Sequence, residues 1–238
     1  MNFSNKHTTY NEAAAIQAKV ARWTSAWIPM IGDLPGPPVE FGAGTGLFTG
    51  HLLKKFGNLV ATDLSARMLQ EGRRHYPEAR WETLNAWKLP TGKEYGGMFS
   101  TSLLQWCGSP EDVLSQWYAH LLPGGWMLHS FFIKGSLGEL ASVAPECLAL
   151  EFLDEEGWRA SFEAAGFVDI QTESREDRQT YHSAVEVFRN LHNLGATNPG
   201  QIPPAQLGKA IRKYDRKYKD GVGVPATWRS ARVLCRRG

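Results

Sequence analysis

Between Val39 and Gly46 the chain reads Val-Glu-Phe-Gly-Ala-Gly-Thr-Gly, a short apolar strand running into glycines at three alternate positions. Glycine has no Cβ, so Gly42, Gly44 and Gly46 let the backbone turn sharply and let a ligand lie close against it. Leu47, Phe48, Leu52, Leu53 and Phe56 then recur as the apolar positions of an amphipathic helix. Strand, glycine turn and helix form the unit with which α/β proteins hold an adenine nucleotide or a relative of one. A dinucleotide turn has the spacing G-x-G-x-x-G and aims a helix N-terminus at a pyrophosphate. Here Leu47 stands where the third glycine would fall, so the pattern departs from the pyrophosphate-binding one. Asp63 closes the next apolar-rich run, 58–62, and is placed to accept hydrogen bonds from ribose hydroxyls. Asp63 also suits the N-cap of the following helix, but Ser65 can fill that role by itself.

A sheet has to position this turn, and the remaining periodicity predicts one. A lead-in helix is expected over 10–28, where Ala14, Ile16, Val20, Trp23 and Trp27 recur at helical spacing, closed by the Pro-Gly-Pro-Pro run at 35–38. Strands are predicted at 39–41, 58–62, 79–84, 98–103 and 126–133, with helices at 65–74 and 110–121 and Pro123-Gly124-Gly125 turning into the fifth strand. Such alternation requires a parallel sheet with crossovers. Beyond Lys134 helices are expected at 137–143 and 154–165, the second closed by Gly166. A sixth strand at 167–171 and a final one at 227–235 should pair as a hairpin on the sheet edge. The expected fold is therefore α/β and Rossmann-like, a single domain over 1–238 with a seven-stranded, mostly parallel sheet and an antiparallel last strand. Residues 173–223, with helices at 183–194 and 204–219, read as an insertion over the carboxyl ends of the strands, a lid on the ligand site. The alternative is a helical decoration remote from it.

Composition narrows the function class. A chain of 238 residues is long enough for one α/β domain with an added cap. Its net charge of +2 places no general demand for nucleic acid. Cys107, Cys147 and Cys235 and the seven histidines form neither C-x-x-C nor H-x-x-x-H, so no metal is expected and the thiols read as buried in a reducing cytoplasm. The N-terminal stretch lacks the apolar core of a signal peptide, and no apolar run reaches membrane-spanning length. A cytoplasmic location with no membrane partner is the expectation.

The G-x-G-x-G spacing resembles the nucleoside-binding turn of S-adenosylmethionine (SAM) methyltransferases, whose ligand has no phosphate. A narrower resemblance begins after the fourth strand. Leu104-Gln105-Trp106-Cys107 is similar to the malonyl-acyl-carrier-protein O-methyltransferases of biotin synthesis. Phe3, Tyr10 and Gln17 fit that family's N-terminal pattern, and Asp63-Leu64-Ser65-Ala66-Arg67-Met68-Leu69 fits its second motif. Lys134–Leu140, Ser183-Ala184 with Arg189, Leu194-Gly195-Ala196-Thr197 and Val224–Trp228 extend the similarity over nearly the whole chain. Three positions depart from it. Asn85 stands where the family usually has an Asp on the adenine amino group, Gly96 where an Asp commonly begins strand four, and His192 in place of a frequent Lys. An Asn85 carbonyl could accept the same adenine hydrogen bond without the charge.

The resemblance implies a class I methyltransferase with SAM as methyl donor and no metal. It implies a SAM site built from Tyr10 and Gln17; from Glu40, Phe41, Gly42, Ala43, Gly44 and Gly46; from Asp63, Leu64, Ser65 and Met68; from Asn85, Ala86 and Trp87; and from Ser100 and Leu103. Glu40 would meet the ligand's ammonium group through water or a backbone network. The family's acceptor is the free carboxylate of a malonyl thioester on acyl-carrier protein, which is ionised at neutral pH and needs no general base. Tyr10, Gln105 and Trp106 would wall the reacting site, although core packing is the commoner fate of a Trp. Arg189 would pair with the carboxylate, or else sit on a solvated helix face. Lys209, Arg212, Lys213, Arg216, Lys217 and Lys219 cluster on one predicted helix and suit an acidic carrier protein. The same cluster could be an ordinary basic face or a patch for RNA, but Tyr214 and Tyr218 are too few aromatics for base stacking. Open alternatives are a methyltransferase of a free small acid and a SAM-binding module without catalysis.

Overall fold

Seven strands build one sheet: β1 (Pro38–Phe41), β2 (Val60–Asp63), β3 (Arg80–Thr83), β4 (Tyr95–Thr101), β5 (Leu121–Phe132), β6 (Phe167–Tyr181) and β7 (Val224–Arg237). Their order is β3-β2-β1-β4-β5-β7-β6. The first five pair in parallel, and β7 runs antiparallel to both β5 and β6. The order reverses between β1 and β4, and the crevice outside the carboxyl ends at that point is where open α/β sheets take ligands. The structure is a computed structural model that describes residues 15–149, 151–194 and 202–238. Around the sheet lie helices α1 (Ala15–Ser25), α2 (Thr49–Leu52), α3 (Ala66–His75), α4 (Pro110–His120), α5 (Gly138–Val143), α6 (Glu155–Ala164), α7 (Ala184–Leu194) and α8 (Pro204–Tyr218).

Alternating strand residues fill two cores. On one face Val39, Phe41, Met98, Met127 and Phe131 pack with Trp117 of α4 and Phe162 of α6. On the other, Phe99, Leu128 and Leu234 pack with Ala21 of α1 and with Leu52 and Phe56. Helices α7 and α8 share a third core with Ile16 and Val20 of α1, Phe132 and Trp228. Helix α1 is also fastened to the far strands. The nearly buried Arg232 of β7 lies 4.4 Å from the ring centre of Trp23 and 4.1 Å from that of Trp27. It donates to the Trp23 carbonyl and to Glu173 of β6. Thr24 Oγ1 adds a 2.7 Å hydrogen bond to Ser130 Oγ on β5. Desolvated cation–π contacts of this kind contribute about 2 kcal/mol.

Several boundaries differ from the sequence expectation. Strand β6 runs to Tyr181 rather than 171, so the insertion begins near 182 and not at 173. Residues 172–181 are strongly polar, yet β7 pairs with them through Tyr181↔Val224, and Arg232–Glu173 and Arg175–Asp177 match their charges. Pairing overrides local preference in a strand of that kind. Pro123-Gly124-Gly125 lies inside β5 as an irregularity between Leu121 and Trp126 rather than before it. The helix after the glycine turn is shortened to Thr49–Leu52, with hydrogen-bonded turns on either side, and Gly42, Gly44 and Gly46 ahead of it hold φ of 62°, 57° and 96°. The start of the lead-in helix, including Tyr10, lies outside the described residues. From Ala15 the helix runs to Ser25, and a separate 3₁₀ turn follows at Ile28–Met30.

Candidate functional site

A cleft opens over the carboxyl ends of β1, β2 and β4, the place where open α/β sheets take ligands. Gly42, Gly44, Asp63, Leu64, Met68, Ala86 and Trp87 line one part of it. Gln17, Ser102, Leu103, Trp106 and Leu194 line the other. Leu194, the last residue of α7, thus brings the insertion to the cleft.

The glycine turn is held by the next strand. Asp63 Oδ2 accepts the Gly44 N–H at 2.9 Å, and Oδ1 accepts the Ser65 N–H at 2.8 Å. Burial raises the Asp63 pKa, and these backbone donors work against that rise. Ser65 caps α3, its Oγ accepting from Met68 N at 3.4 Å. The Leu64 N–H also acts on this carboxylate, whose oxygens can each accept more than one hydrogen bond. A Cβ on Gly42 would stand 2.7 Å from Leu103 Cδ1, whereas one on Gly44 would meet nothing within 4 Å. Gly44 therefore serves the turn by its φ and leaves open space for a ligand.

Glu40 lies almost wholly buried beneath the turn, and its Oε2 accepts Thr49 Oγ1 at 2.5 Å. Burial pushes its carboxyl from the usual 4.5 up to about 8; the Thr49 hydroxyl opposes that shift and the nearby Asp63 charge adds to it. The folded chain then keeps a proton that the unfolded chain loses. Stability contributed by this group is full below pH 4.5 and falls until the pH passes about 8. Glu40→Gln is expected to flatten that slope in thermal melts across about pH 5 to 9. A slope identical to wild type would mean that the folded carboxyl is already ionised at neutral pH.

Three polar atoms around the cleft are buried without a partner among the described residues: Gln17 Oε1, Ser102 Oγ and Gln105 Oε1. Gln105 lies behind the wall and donates from Nε2 to the Ser102 carbonyl at 2.9 Å. Leu64 is 61% exposed, an apolar surface facing an apolar-walled cleft. Asn85 Oδ1 accepts the Trp87 N–H at 2.9 Å, which shapes the segment carrying Ala86 and Trp87. The Asp63 carboxylate, the unpartnered Gln17 Oε1 and bare apolar walls fit a cationic nucleoside such as SAM. Sequence reasoning missed Ser102, Leu84 and Leu194 as cleft residues. The φ of 55° at Ser102 and the packing of α7 are tertiary facts with no local signature.

Other expected residues stand elsewhere. Phe41 is fully buried in the core against Trp117 and Tyr95. Ser100 is also buried, its Oγ 2.7 Å from Nδ1 of His129, a side chain that burial pushes down to about 3 and so keeps neutral. Gly46 faces Tyr76, which a Cβ would approach to 2.6 Å. Ala43 is buried, with its N–H on the Thr62 carbonyl. Arg189 is exposed on α7 and is not one of the described cleft walls. Tyr10 lies outside the described residues. Lys209, Arg212, Lys213 and Arg216 are exposed along α8, where Asp215 turns inward to accept the Ala184 N–H. Lys217 spans to Ser142 Oγ at 3.0 Å, and Lys219 lies just past the helix. Among the described residues no group of His, Cys, Asp or Glu could hold a metal, and no helix is long and apolar enough to cross a membrane.

The chain is similar to known proteins. Residues 39–127 match a family described as a methyltransferase domain. The chain is 30% identical over 217 residues to a malonyl-[acyl-carrier protein] O-methyltransferase of Methylococcus capsulatus, spanning 87% of this chain and 79% of that protein. It is 29% identical over 245 residues to a protein of the same description from Halorhodospira halophila, spanning 95% and 83%. Its fold is that of the geranyl diphosphate C-methyltransferase of Streptomyces coelicolor, solved with Mg2+, geranyl diphosphate and S-adenosyl-L-homocysteine, at a TM-score of 0.59 and 12% identity over 92% of this chain and 79% of that one.

Proposed function

Because the chain belongs to the malonyl-[acyl-carrier protein] O-methyltransferase family, we propose that it methylates the free carboxylate of a malonyl group carried by acyl-carrier protein, giving the methyl ester that starts pimeloyl synthesis for biotin. The protein is a SAM-dependent methyltransferase. The observation that carries the reading is the glycine turn tied to Asp63, with Glu40 beneath it, in a cleft whose apolar walls include Leu64 and Trp106.

In this reading Asp63 binds the ribose hydroxyls, and Leu64, Met68, Ala86 and Trp87 enclose the adenine. Asn85 accepts from the adenine amino group, while Gln17, with Tyr10, covers the donor from the N-terminal segment. Gly42 and Gly44 let the donor lie against the backbone, and the charge of Asp63 favours its cationic groups. The malonyl carboxylate is already nucleophilic, so the protein aligns oxygen, methyl carbon and sulfur and excludes water. Trp106 and Leu103 wall that space. Carrier protein, an acidic partner, docks on the basic face of Lys209, Arg212, Lys213 and Arg216, with Arg189 on the neighbouring helix. Incubation with SAM and malonyl-carrier protein, read by intact-protein mass spectrometry, is expected to show a gain of one methylene. No gain on the carrier protein, with a free small acid esterified instead, would overturn the choice of acceptor. SAM binding with no esterification at all would favour a non-catalytic module.

A further inference from the structure

We infer that the Ser102 hydroxyl is the group that binds the methyl-accepting carboxylate, an inference that rests on the carboxylate reading above. Ser102 follows β4 with a φ of 55°, a left-handed conformation that a residue with a side chain rarely adopts. The conformation is imposed from both sides. Its N–H donates to the Ser130 carbonyl on β5 at 2.7 Å, and its own carbonyl accepts Gln105 Nε2 at 2.9 Å. Ser102 is one of the residues lining the cleft, and its hydroxyl, shielded from solvent, has no partner among the described residues. Strain and an orphaned hydroxyl both oppose stability, and such residues collect where a ligand completes them.

Topology says which end of the ligand this is. Asp63 ends β2, Ser102 follows β4, and β1 lies between them. Two strand spacings put Ser102 about 10 Å across the sheet from the ribose-binding carboxylate, toward Trp106 and Leu194 rather than toward Ala86. That is the reacting end of a donor whose ribose sits on Asp63. A neutral hydroxyl donates one hydrogen bond to the acceptor carboxylate and leaves the second oxygen its full nucleophilicity, whereas a guanidinium would hold both. In the transfer, an oxygen lone pair forms the O–C bond as the C–S bond breaks, and the released pair stays on sulfur as a neutral thioether. Carboxylate and sulfonium charges disappear together and no proton moves, so Ser102 remains a donor throughout. Gln105, which touches Ser102 through its carbonyl, is a positioning residue.

Two substitutions test this. Ser102→Ala removes the hydroxyl and keeps the strain; Ser102→Gly removes both and is expected to melt above wild type. Both should raise the KM for malonyl-carrier protein by about tenfold or more. SAM affinity by calorimetry should change by less than about twofold. A residue that only shaped the loop would not separate the two ligands in this way, nor combine higher stability with a poorer acceptor KM. An unchanged acceptor KM in Ser102→Ala overturns the assignment, as does a loss confined to SAM affinity. If wild type esterifies a free acid and not the carrier-bound malonyl group, the acceptor reading fails alone, and the same KM split with that acid decides Ser102. A wild type that esterifies no carboxylate overturns both.

Discussion

Replacing Asp63 with alanine is expected to weaken SAM binding by about 100-fold or more. A hydrogen bond to a charged group contributes about 1.5–3 kcal/mol, and a ribose offers two hydroxyls to the carboxylate. The same substitution releases the Gly44 N–H at 2.9 Å and the Ser65 N–H at 2.8 Å, so the turn loses its tie to β2 as the ligand loses its anchor. Asp63→Asn should be nearly as damaging. Two separate N–H groups face the two oxygens, and an amide can satisfy only one of them while its NH2 confronts the other. Calorimetric titration with SAM measures both variants. Wild-type affinity in Asp63→Ala would show that the nucleoside is held elsewhere.

A large stability effect is expected at Gly96. A Cβ there would stand 2.2 Å from Gly36 N and 2.4 Å from Gly36 O, both backbone atoms. The contact is tied down by the Gly96 N–H on the Pro37 carbonyl at 2.9 Å, at the entrance to β1 and β4. Overpacking a site with flexible neighbours costs about 1–3 kcal/mol. Here the neighbour is backbone held between prolines, so Gly96→Ala is expected to lose about 3 kcal/mol. Gly57→Ala, where a Cβ meets nothing within 4 Å and φ is not positive, serves as control and should stay within about 0.5 kcal/mol of wild type. Urea midpoints compare the two. Equal midpoints for Gly96→Ala and wild type would mean that the 35–38 segment can move away. The departure at Gly96 from the family's usual Asp thus has a physical reason: the segment crosses too closely for any side chain.

The approach of Gly36 to Gly96 is a tertiary contact with no local signature. The glycine turn, Asp63 and the Ser65 cap were legible because each acts through neighbours a few residues away or through a fixed spacing. The parallel alternation and the terminal hairpin were legible because apolar periodicity reports which face is buried. The length of β6 was not, because its polar second half is a strand only by pairing with β7. Phe41 and Ser100 have the spacing of site residues, yet both lie on strands with their side chains in the interior, against Trp117 and His129. Arg189 has suitable chemistry, but its exposure depends on how α7 packs, which leaves Leu194 at the cleft instead. Ser102 carries no sequence signal, since β5 and Gln105 impose its backbone from outside.

The clasp of Arg232 on Trp23 and Trp27 bears on the order of assembly. Helix α1 brings Gln17 to the cleft, but the cation that seats the helix belongs to the last strand of the sheet. A nascent chain emerging from the ribosome can form the glycine turn and β1 to β5 while Trp23 and Trp27 still lack the guanidinium that will lie between them. The wall formed by Gln17 is finished only when β7 has slotted between β5 and β6. A chain truncated before residue 224 would retain the whole glycine motif and still lack the Arg232 guanidinium that seats helix α1.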